Sequence, residues 1–217
     1  NGIASLGYNG RRYNTTNNIS TVNIIGDVFI TEKGTVNLAF LNGDSKFKGT
    51  VINNDGGTIN LHVGTNGIWE NVSNNEANKK ATSNVTNLGI GSTGVSNVAK
   101  GAGIISQTSD SGDIVIKTLG SIWQSEKQVG GNGKIYYDID EANPTVIQGG
   151  SIVVEKAVAG SVLTLCANYS NSITKSNLQN VMNGLANKLY YYGAQYVTDI
   201  ETGEVMRDAD GNPIFKD

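Results

Sequence analysis

The sequence of 217 residues predicts an all-β fold: a parallel β-helix, also called a parallel β-solenoid, followed by a C-terminal amphipathic helix and a terminal hairpin. Three observations predict the parallel solenoid: a strand phrase that recurs at a fixed spacing, turns rich in Asn and Gly, and an unusual composition. Hydrophobic residues reach only 38% and charged residues only 16%, whereas Gly accounts for 28 residues. This hydrophobic content is low for a conventional globular protein, but the composition suits short strands joined by tight turns.

The strand phrase occupies residues 34–40 (Gly-Thr-Val-Asn-Leu-Ala-Phe) and recurs at 57–63 (Gly-Thr-Ile-Asn-Leu-His-Val). Apolar and polar residues alternate in both copies, which is the period of a β-strand. Val36 and Ile59 hold equivalent inward positions, so we expect them in adjacent layers. Residues 45–52 form another strand between the copies, bounded by Asn- and Gly-rich turns.

The repeated unit, which runs from one copy of the phrase to the next, contains at least two short strands and no helix, so it cannot bury its apolar face alone. Stacking on copies of itself solves this problem and builds a parallel solenoid with strands about 4.8 Å apart. Outward Asn and Thr side chains can then form ladders from coil to coil. An antiparallel sandwich of hairpins is the alternative, although it does not require a repeat at a fixed offset.

The prediction divides the chain into a solenoid over residues 1–173 and a terminal unit over 174–217. Looser copies of the strand phrase occur at 112–117, 150–154 and 160–165. Residues 72–111 are predicted to be an irregular insertion, which is either one or two irregular coils with a lateral loop or a loop displayed for binding.

The terminal unit begins with an amphipathic helix over residues 174–192. Its apolar stripe has helical spacing: Leu178, Val181, Met182, Leu185 and Leu189. Residues 194–217 are predicted to form a hairpin. Together the helix and the hairpin would cover the end of the solenoid, whose open strand edges would otherwise aggregate.

Several classes of protein are excluded by composition. A net charge of −3 and a pI near 5.2 argue against a nucleic-acid partner. No run of about 18 apolar residues exists, so the sequence predicts no membrane-spanning helix. The start at Asn1 has no signal-peptide character and indicates a mature fragment. One cysteine excludes an internal disulfide, and one cysteine with one histidine exclude a zinc site, so we expect no cofactor or metal.

Catalytic candidates are few. His62, the single histidine, holds an outward strand position and is predicted to be a solvated surface residue. Cys166 lies in an apolar run and is predicted to be a small buried residue. Trp69 and Trp123 could stack on sugars, but their repeated position favours packing. The sequence therefore predicts no catalytic residue and identifies no ligand-binding residue.

Carboxylates offer the one route to an enzyme. A hydrolase needs paired acids at close range, and the candidates are Asp110 with Asp113, and Asp138 with Asp140 and Glu141. Because these acids lie in or beside turns, solvated turn acids are the favoured interpretation. A lyase would need a basic residue near acids, yet the arginines, Arg11, Arg12 and Arg207, all lie outside the repeated core.

Two weaker patterns are interpreted structurally. Asp208, Asp210 and Asn212 alternate like the start of a calcium loop, but the glycine spacing favours a hairpin turn. Five Asn-x-Ser/Thr sequons are expected by chance in so Asn-rich a chain, and they begin at Asn14, Asn18, Asn71, Asn84 and Asn168.

Three phrases resemble the passenger domains of type V autotransporters: residues 57–61 (Gly-Thr-Ile-Asn-Leu), 67–71 (Gly-Ile-Trp-Glu-Asn) and 83–88 (Ser-Asn-Val-Thr-Asn-Leu). Residues 185–191 (Leu-Ala-Asn-Lys-Leu-Tyr-Tyr) are similar to a phrase in large surface proteins of anaerobic Gram-negative bacteria. The resemblance covers about residues 20–193. It implies a right-handed β-helix carried across the outer membrane by a C-terminal barrel, which is expected outside this chain.

The resemblance also implies a function. This segment would be a non-catalytic, monomeric part of a surface-exposed adhesin, a virulence-related stalk on the extracellular side of the outer membrane. Its loops would attach to a host or bacterial surface protein or glycan. A β-helical carbohydrate-active enzyme, either a lyase or a hydrolase, and a phage tailspike segment remain the alternatives.

Overall fold

The computed structural model describes the backbone of residues 3–6 and all atoms of residues 21–53, 56–92, 101–120, 130–168 and 171–192. It is mostly β-structure organised in parallel sheets. All pairs between its strands are parallel, and the antiparallel contacts within the described ranges are two isolated bridges, Ser92 with Gly101 and Ile139 with Ile147. The parallel pairing disagrees with an antiparallel sandwich.

The strands belong to three sheets. The seven-stranded sheet contains, in spatial order, β1 (Ile3–Leu6), β4 (Thr35–Phe40), β7 (Thr58–Val63), β9 (Ser83–Ile90), β11 (Ile114–Gly120), β13 (Ile152–Ala157) and β15 (Leu189–Tyr191). The six-stranded sheet contains β2 (Asn23–Ile25), β5 (Lys46–Lys48), β8 (Ile68–Glu70), β10 (Gly103–Gln107), β12 (Asn132–Tyr137) and β14 (Val162–Ala167). β3 (Val28–Ile30) and β6 (Val51–Asn53) form a two-stranded sheet.

Chain order and spatial order are related simply. The chain visits the seven-stranded sheet, then the six-stranded sheet, and returns to the first, each time pairing beside its previous strand. Val36 on β4 pairs with Ile59 on β7, as the repeated strand phrase predicts. This arrangement is compatible with a β-helix, and we call one circuit of the chain a winding.

Large side chains fill the space between the sheets. The rings of Phe40, Phe47 and Trp69 stack at centroid distances of 5.6 and 6.0 Å. The Trp69 indole Nε1 donates a hydrogen bond to the Gly49 carbonyl at 2.9 Å, so its polar atom is satisfied inside the core. The packing role expected for Trp69 is confirmed. Trp123 lies outside the described residues.

Residues 72–111, predicted as an irregular insertion, contain β9 and β10, which join the two large sheets. The alternation of β9 shifts within the strand, because Thr86 and Asn87 are both half-buried between the buried Val85 and Leu88. A search for strict alternation of apolar and polar residues misses such a strand. A short excursion at residues 73–82 does leave the sheets and carries one turn of 3₁₀-helix at Glu76–Asn78.

The C-terminal helix is shorter than predicted. Helix α1 spans Leu178–Ala186, and Leu189 belongs to β15, where it pairs with Ile152. The helix packs against β14 and buries Val181 in the core. The predicted hairpin at 194–217 lies outside the described residues. Within the ranges given above, no helix has the length and apolar character needed to cross a lipid bilayer.

Candidate functional site

The outer face of the seven-stranded sheet carries an open groove of about 290 Å³. It crosses β7, β9, β11 and β13, and the turn before β7 forms one end. The groove is lined mainly by outward positions of these strands together with that turn: Asn53, Gly56, Gly57, Thr58, Asn84, Val85, Thr86, Val115, Lys117 and Glu155. Most of these residues are uncharged. Lys117 supplies one cation and Glu155 supplies one carboxylate.

Hydrogen bonds hold the end of the groove in place. Asn53 Nδ2 donates to the Gly57 carbonyl at 2.7 Å, and Gly57 N donates back to Asn53 Oδ1 at 3.1 Å. Thr86 Oγ1 accepts from Ile59 N at 3.0 Å, replacing a backbone acceptor where the alternation of β9 shifts. The groove is therefore built on rigid strands, and a ligand could contact the side chains of Asn84, Val115 and Lys117 without breaking these hydrogen bonds.

A ladder of asparagines runs beside the groove. Asn60 Nδ2 donates to Asn37 Oδ1, and Asn87 Nδ2 donates to Asn60 Oδ1, each at 2.7 Å. The expected laddering of Asn from one winding to the next is confirmed. Because these amides are donated to the neighbouring winding, the ladder acts in stacking rather than in ligand binding.

The excursion at residues 73–82 is anchored by one carboxylate. Asp27 accepts hydrogen bonds from Thr50 N and Oγ1 at 3.0 and 2.9 Å, from Ser73 Oγ at 2.6 Å and from Asn78 Nδ2 at 2.9 Å. Burial raises the pKa of Asp27, but these hydrogen bonds outweigh burial and hold it below its usual value. The excursion is thus a loop fixed in one position against the sheets.

The prediction of a solvated His62 is wrong. His62 is 3% exposed, and burial lowers the pKa of its imidazole to about 4. The strand alternation fails here because residues 61–63 at the end of β7 are all buried. The residues that pair with His62, Ala39 and Gly89, are small, which leaves room for the ring. His62 is therefore neutral at pH 7, and its burial keeps it from acting as a base at the surface.

Cys166 is half-exposed rather than buried. It holds an outward position of β14, and its register partner on β12, Tyr136, is half-buried in the same way. Burial of the thiol raises its pKa, with an opposing effect of Lys134. A thiol with a raised pKa is not an activated nucleophile.

Four of the five candidate acids hold a structural hydrogen bond or ion pair, and the fifth, Glu141, is exposed. Asp113 accepts from Ser151 N at 2.7 Å, Asp138 accepts from Asn168 Nδ2 at 2.6 Å, and Asp140 accepts from Ala142 N at 2.9 Å. Asp110 lies 3.5 Å from Lys79 Nζ. In the part of the chain that the structure describes, no group of three or more His, Cys, Asp or Glu side chains could hold a metal ion. Arg11, Arg12, Arg207 and residues 208–212 lie outside the described ranges.

The sequons at Asn71 and Asn168 are engaged internally. Asn71 is fully buried, and its amide donates to Gln107 Oε1 at 3.1 Å and to the Gly112 carbonyl at 2.9 Å. Its Oδ1 accepts from Ser83 Oγ at 2.6 Å. These groups form a polar network inside the core. Asn84 is the third sequon asparagine within the described ranges. Its side chain is partly exposed, lines the groove and does not belong to such a network.

Sequence reasoning missed one buried group. Tyr137 is fully buried, and its hydroxyl has no hydrogen-bond partner among the described residues. Burial, with a smaller effect of the Asp113 charge, raises the pKa of its phenol. Lys188 Nζ lies 6.0 Å from the ring centroid and donates to the Gly149 carbonyl. Because Lys188 comes from the segment after α1, far along the chain from Tyr137, no local signal marks this contact.

Comparison with known proteins found no match: no family model, no curated protein and no solved structure matches this chain.

Proposed function

We propose that this chain is a non-catalytic segment of an autotransporter passenger, a right-handed parallel β-helix that serves as the stalk of a surface-exposed adhesin. The observation that carries the proposal is the in-register, all-parallel pairing of each strand with the strand one winding earlier. It adds to the resemblance of residues 57–61, 67–71 and 83–88 to passenger repeats. The location that follows is the extracellular side of the outer membrane of a Gram-negative bacterium.

A stack of windings is suited to a stalk. Each winding adds about 4.8 Å of length, and every interior strand is hydrogen-bonded on both edges. Ring stacking, the asparagine ladder and the internal network of Asn71, Ser83 and Gln107 all join one winding to the next. Such a rod is stiff along its axis and presents its lateral faces to partners.

The groove on the seven-stranded sheet is the proposed contact surface for a host or bacterial glycan or surface protein. Its polar hydroxyl and amide groups suit hydrogen-bonding ligands, and it lies on rigid strands, where little ordering entropy opposes binding. The excursion anchored by Asp27 gives a second fixed element for such contacts.

The test is binding of the fluorescently labelled chain to arrays of glycans and host surface proteins. We expect at least one ligand to bind the chain and to lose at least tenfold in affinity with Val115→Arg, which fills the groove. The matched control is Thr164→Arg, which places the same charge on the exposed outer face of β14 and should leave binding unchanged. Equal loss with both variants, or no ligand at all, would contradict the proposal.

Two further measurements separate the alternatives. Incubation with pectin and alginate should give no new reducing ends and no unsaturated products, and turnover would favour a carbohydrate-active enzyme instead. Sedimentation should show a monomer, whereas a trimer would favour a tailspike segment.

A further inference from the structure

A row of side chains runs across the strands on the outer face of the seven-stranded sheet. Asn84 on β9, Val115 on β11, Val153 on β13 and Tyr190 on β15 are successive register partners. The residues on either side of Asn84, Val115 and Val153 are buried, so the row faces away from the core. Tyr190 is 47% exposed. The row therefore follows the stacking direction, with one side chain from each winding at a spacing of about 4.8 Å.

A second row lies beside the first and is polar. Thr86, Lys117 and Glu155 lie opposite one another on β9, β11 and β13, because the residues before and after them are register partners. All three line the groove. Among the described residues, no ion pair engages Lys117 or Glu155, so both charged groups can reach a ligand. The groove thus has a polar side beside the mainly apolar row that contains Val115 and Val153.

The groove has the size of a small-ligand site. Its volume of about 290 Å³ is near the lower end of the usual range for ligand pockets. A globular protein partner, in contrast, usually covers about 800 Å² of surface on each side of an interface. A thin, chain-like ligand that lies along the two rows therefore fits the groove better than a globular partner does.

A sugar ring has the same two-sided chemistry as the groove, since it carries C–H groups on its faces and hydroxyl groups on its rim. The C–H faces can pack on Val115, Val153 and the ring of Tyr190, which offers apolar area and a polar hydroxyl. The hydroxyls can bond to Lys117 and Glu155. In an extended chain of β-linked sugars, one ring is about as long as the spacing of about 4.8 Å between windings. The charges of Lys117 and Glu155 cancel, which favours a neutral chain over an acidic one.

We propose that the groove binds a neutral, extended, β-linked glycan whose chain lies along the stack, with one ring on each of β9, β11, β13 and β15. Tyr190 is then the residue on which the last ring stacks. This inference rests on the proposed function, because it names the ligand of the same contact surface. It also adds a binding residue, since Tyr190 is not part of the groove lining and is placed in line with it by its pairing with Val153.

The test is calorimetric titration of the full chain with cello-oligosaccharides and chito-oligosaccharides of two to six rings. We expect the affinity in at least one series to rise at least tenfold from two rings to four, and to change less than twofold from four rings to six, because four strands carry the row. Maltohexaose, whose α-linked chain coils, should bind at least tenfold more weakly than the six-ring β-linked chain. Equal affinity for all lengths, or for both linkages, would overturn the inference.

Variants of β15 test the stacking residue. Tyr190→Ala should lower the affinity for the four-ring chain at least tenfold, whereas Tyr190→Phe keeps the ring and should stay within threefold of the wild-type value. Tyr191→Ala is the matched control, because Tyr191 is also exposed but pairs with the inward-facing Val154. It should change the affinity less than twofold. Equal losses with Tyr190→Ala and Tyr191→Ala would overturn the role of Tyr190.

This inference and the proposed function fail in different ways. A surface protein that binds the chain and is lost with Val115→Arg, together with no binding of either oligosaccharide series, would overturn the glycan and leave the contact surface in place. No ligand of any kind would contradict both.

Discussion

The early windings, residues 21–92, differ from the later windings, residues 101–192, in regularity and in burial. Early strands pair with strands that lie close in the sequence, as in Val36 with Ile59, Phe47 with Trp69 and Asn60 with Asn87. Later strands pair across longer stretches of chain, as in Ile105 with Ile135 and Ile114 with Ile152. The early windings also have a third sheet and the ring stack, neither of which is present in the described part of the later ones.

This difference shows what each part of the chain is built to do. In the early windings, short connections leave little freedom, and rings and amides lock the register. In the later windings, the connections are longer and core positions such as Leu165 are only half-buried, so less apolar contact holds the last strands in place. We therefore expect local stability to decrease from the first region to the second.

The largest expected effect comes from the ring stack. Trp69→Ala removes a fully buried indole and its hydrogen bond to Gly49, which should lower the free energy of unfolding by about 3–5 kcal/mol. The corresponding later substitution, Leu165→Ala, removes a half-buried side chain and should cost about 1–2 kcal/mol. Urea denaturation measures both. Ile25→Ala, at a residue that is 75% exposed, is the control and should change stability by less than about 0.5 kcal/mol. Equal costs at Trp69 and Leu165 would erase the contrast between the regions.

His62 sharpens the comparison through pH. Its folded pKa of about 4 lies below the ordinary value of 6.5, so the unfolded state binds the proton first as the pH falls. Stability should therefore decrease from pH 6.5 down through pH 4, by roughly 3 kcal/mol at full protonation. His62→Gln should flatten this part of the pH profile. An unchanged slope in the variant would show that His62 is not the group responsible.

Asp27 tests how firmly the excursion is fixed. Asp27→Ala removes the acceptor for Ser73, Asn78 and Thr50, which should cost about 2–3 kcal/mol. Limited proteolysis should then cut the chain between residues 74 and 80, while the wild-type chain resists under the same conditions. Asp44→Ala, at an exposed turn carboxylate, is the matched control and should leave the cleavage pattern unchanged. A protected excursion in Asp27→Ala would contradict the anchoring role.

The asparagine ladder gives the smallest effect. Asn60→Ala removes one donated and one accepted amide hydrogen bond, so thermal unfolding should report a loss of about 1–2 kcal/mol. Asn84→Ala, on the same face but outside the ladder, should be nearly neutral. If the two variants behave alike, the ladder does not contribute to stacking.

Much of the early region could be predicted from the sequence because its signals are local. The repeated phrase at 34–40 and 57–63 gives the pairing of Val36 with Ile59, and the Asn positions within it give the ladder. The strand β9 escaped prediction because Thr86 and Asn87 interrupt the alternation. Helix α1 was located, but Leu189 fits both a helical stripe and a strand, and only pairing with Ile152 places it in β15.

The environment of single residues depended on distant parts of the chain. His62 is buried because three residues in a row are covered at the end of β7, and Cys166 is half-exposed because it holds an outward position of β14, as its register partner Tyr136 does on β12. The groove likewise combines residues from Asn53 to Glu155, and only the stacking of windings brings these together. Spacing along one strand contains none of this information.

The central claim is that successive windings stack in parallel and in register. It is tested most directly by paired cysteines on β5 and β8 in a Cys166→Ser background. Lys48 and Glu70 are register partners, whereas Lys46 and Glu70 are offset by two residues. The account predicts that Lys48→Cys with Glu70→Cys forms a disulfide nearly completely and that Lys46→Cys with Glu70→Cys does so at least tenfold less. Equal yields, or a preference for the offset pair, would contradict it.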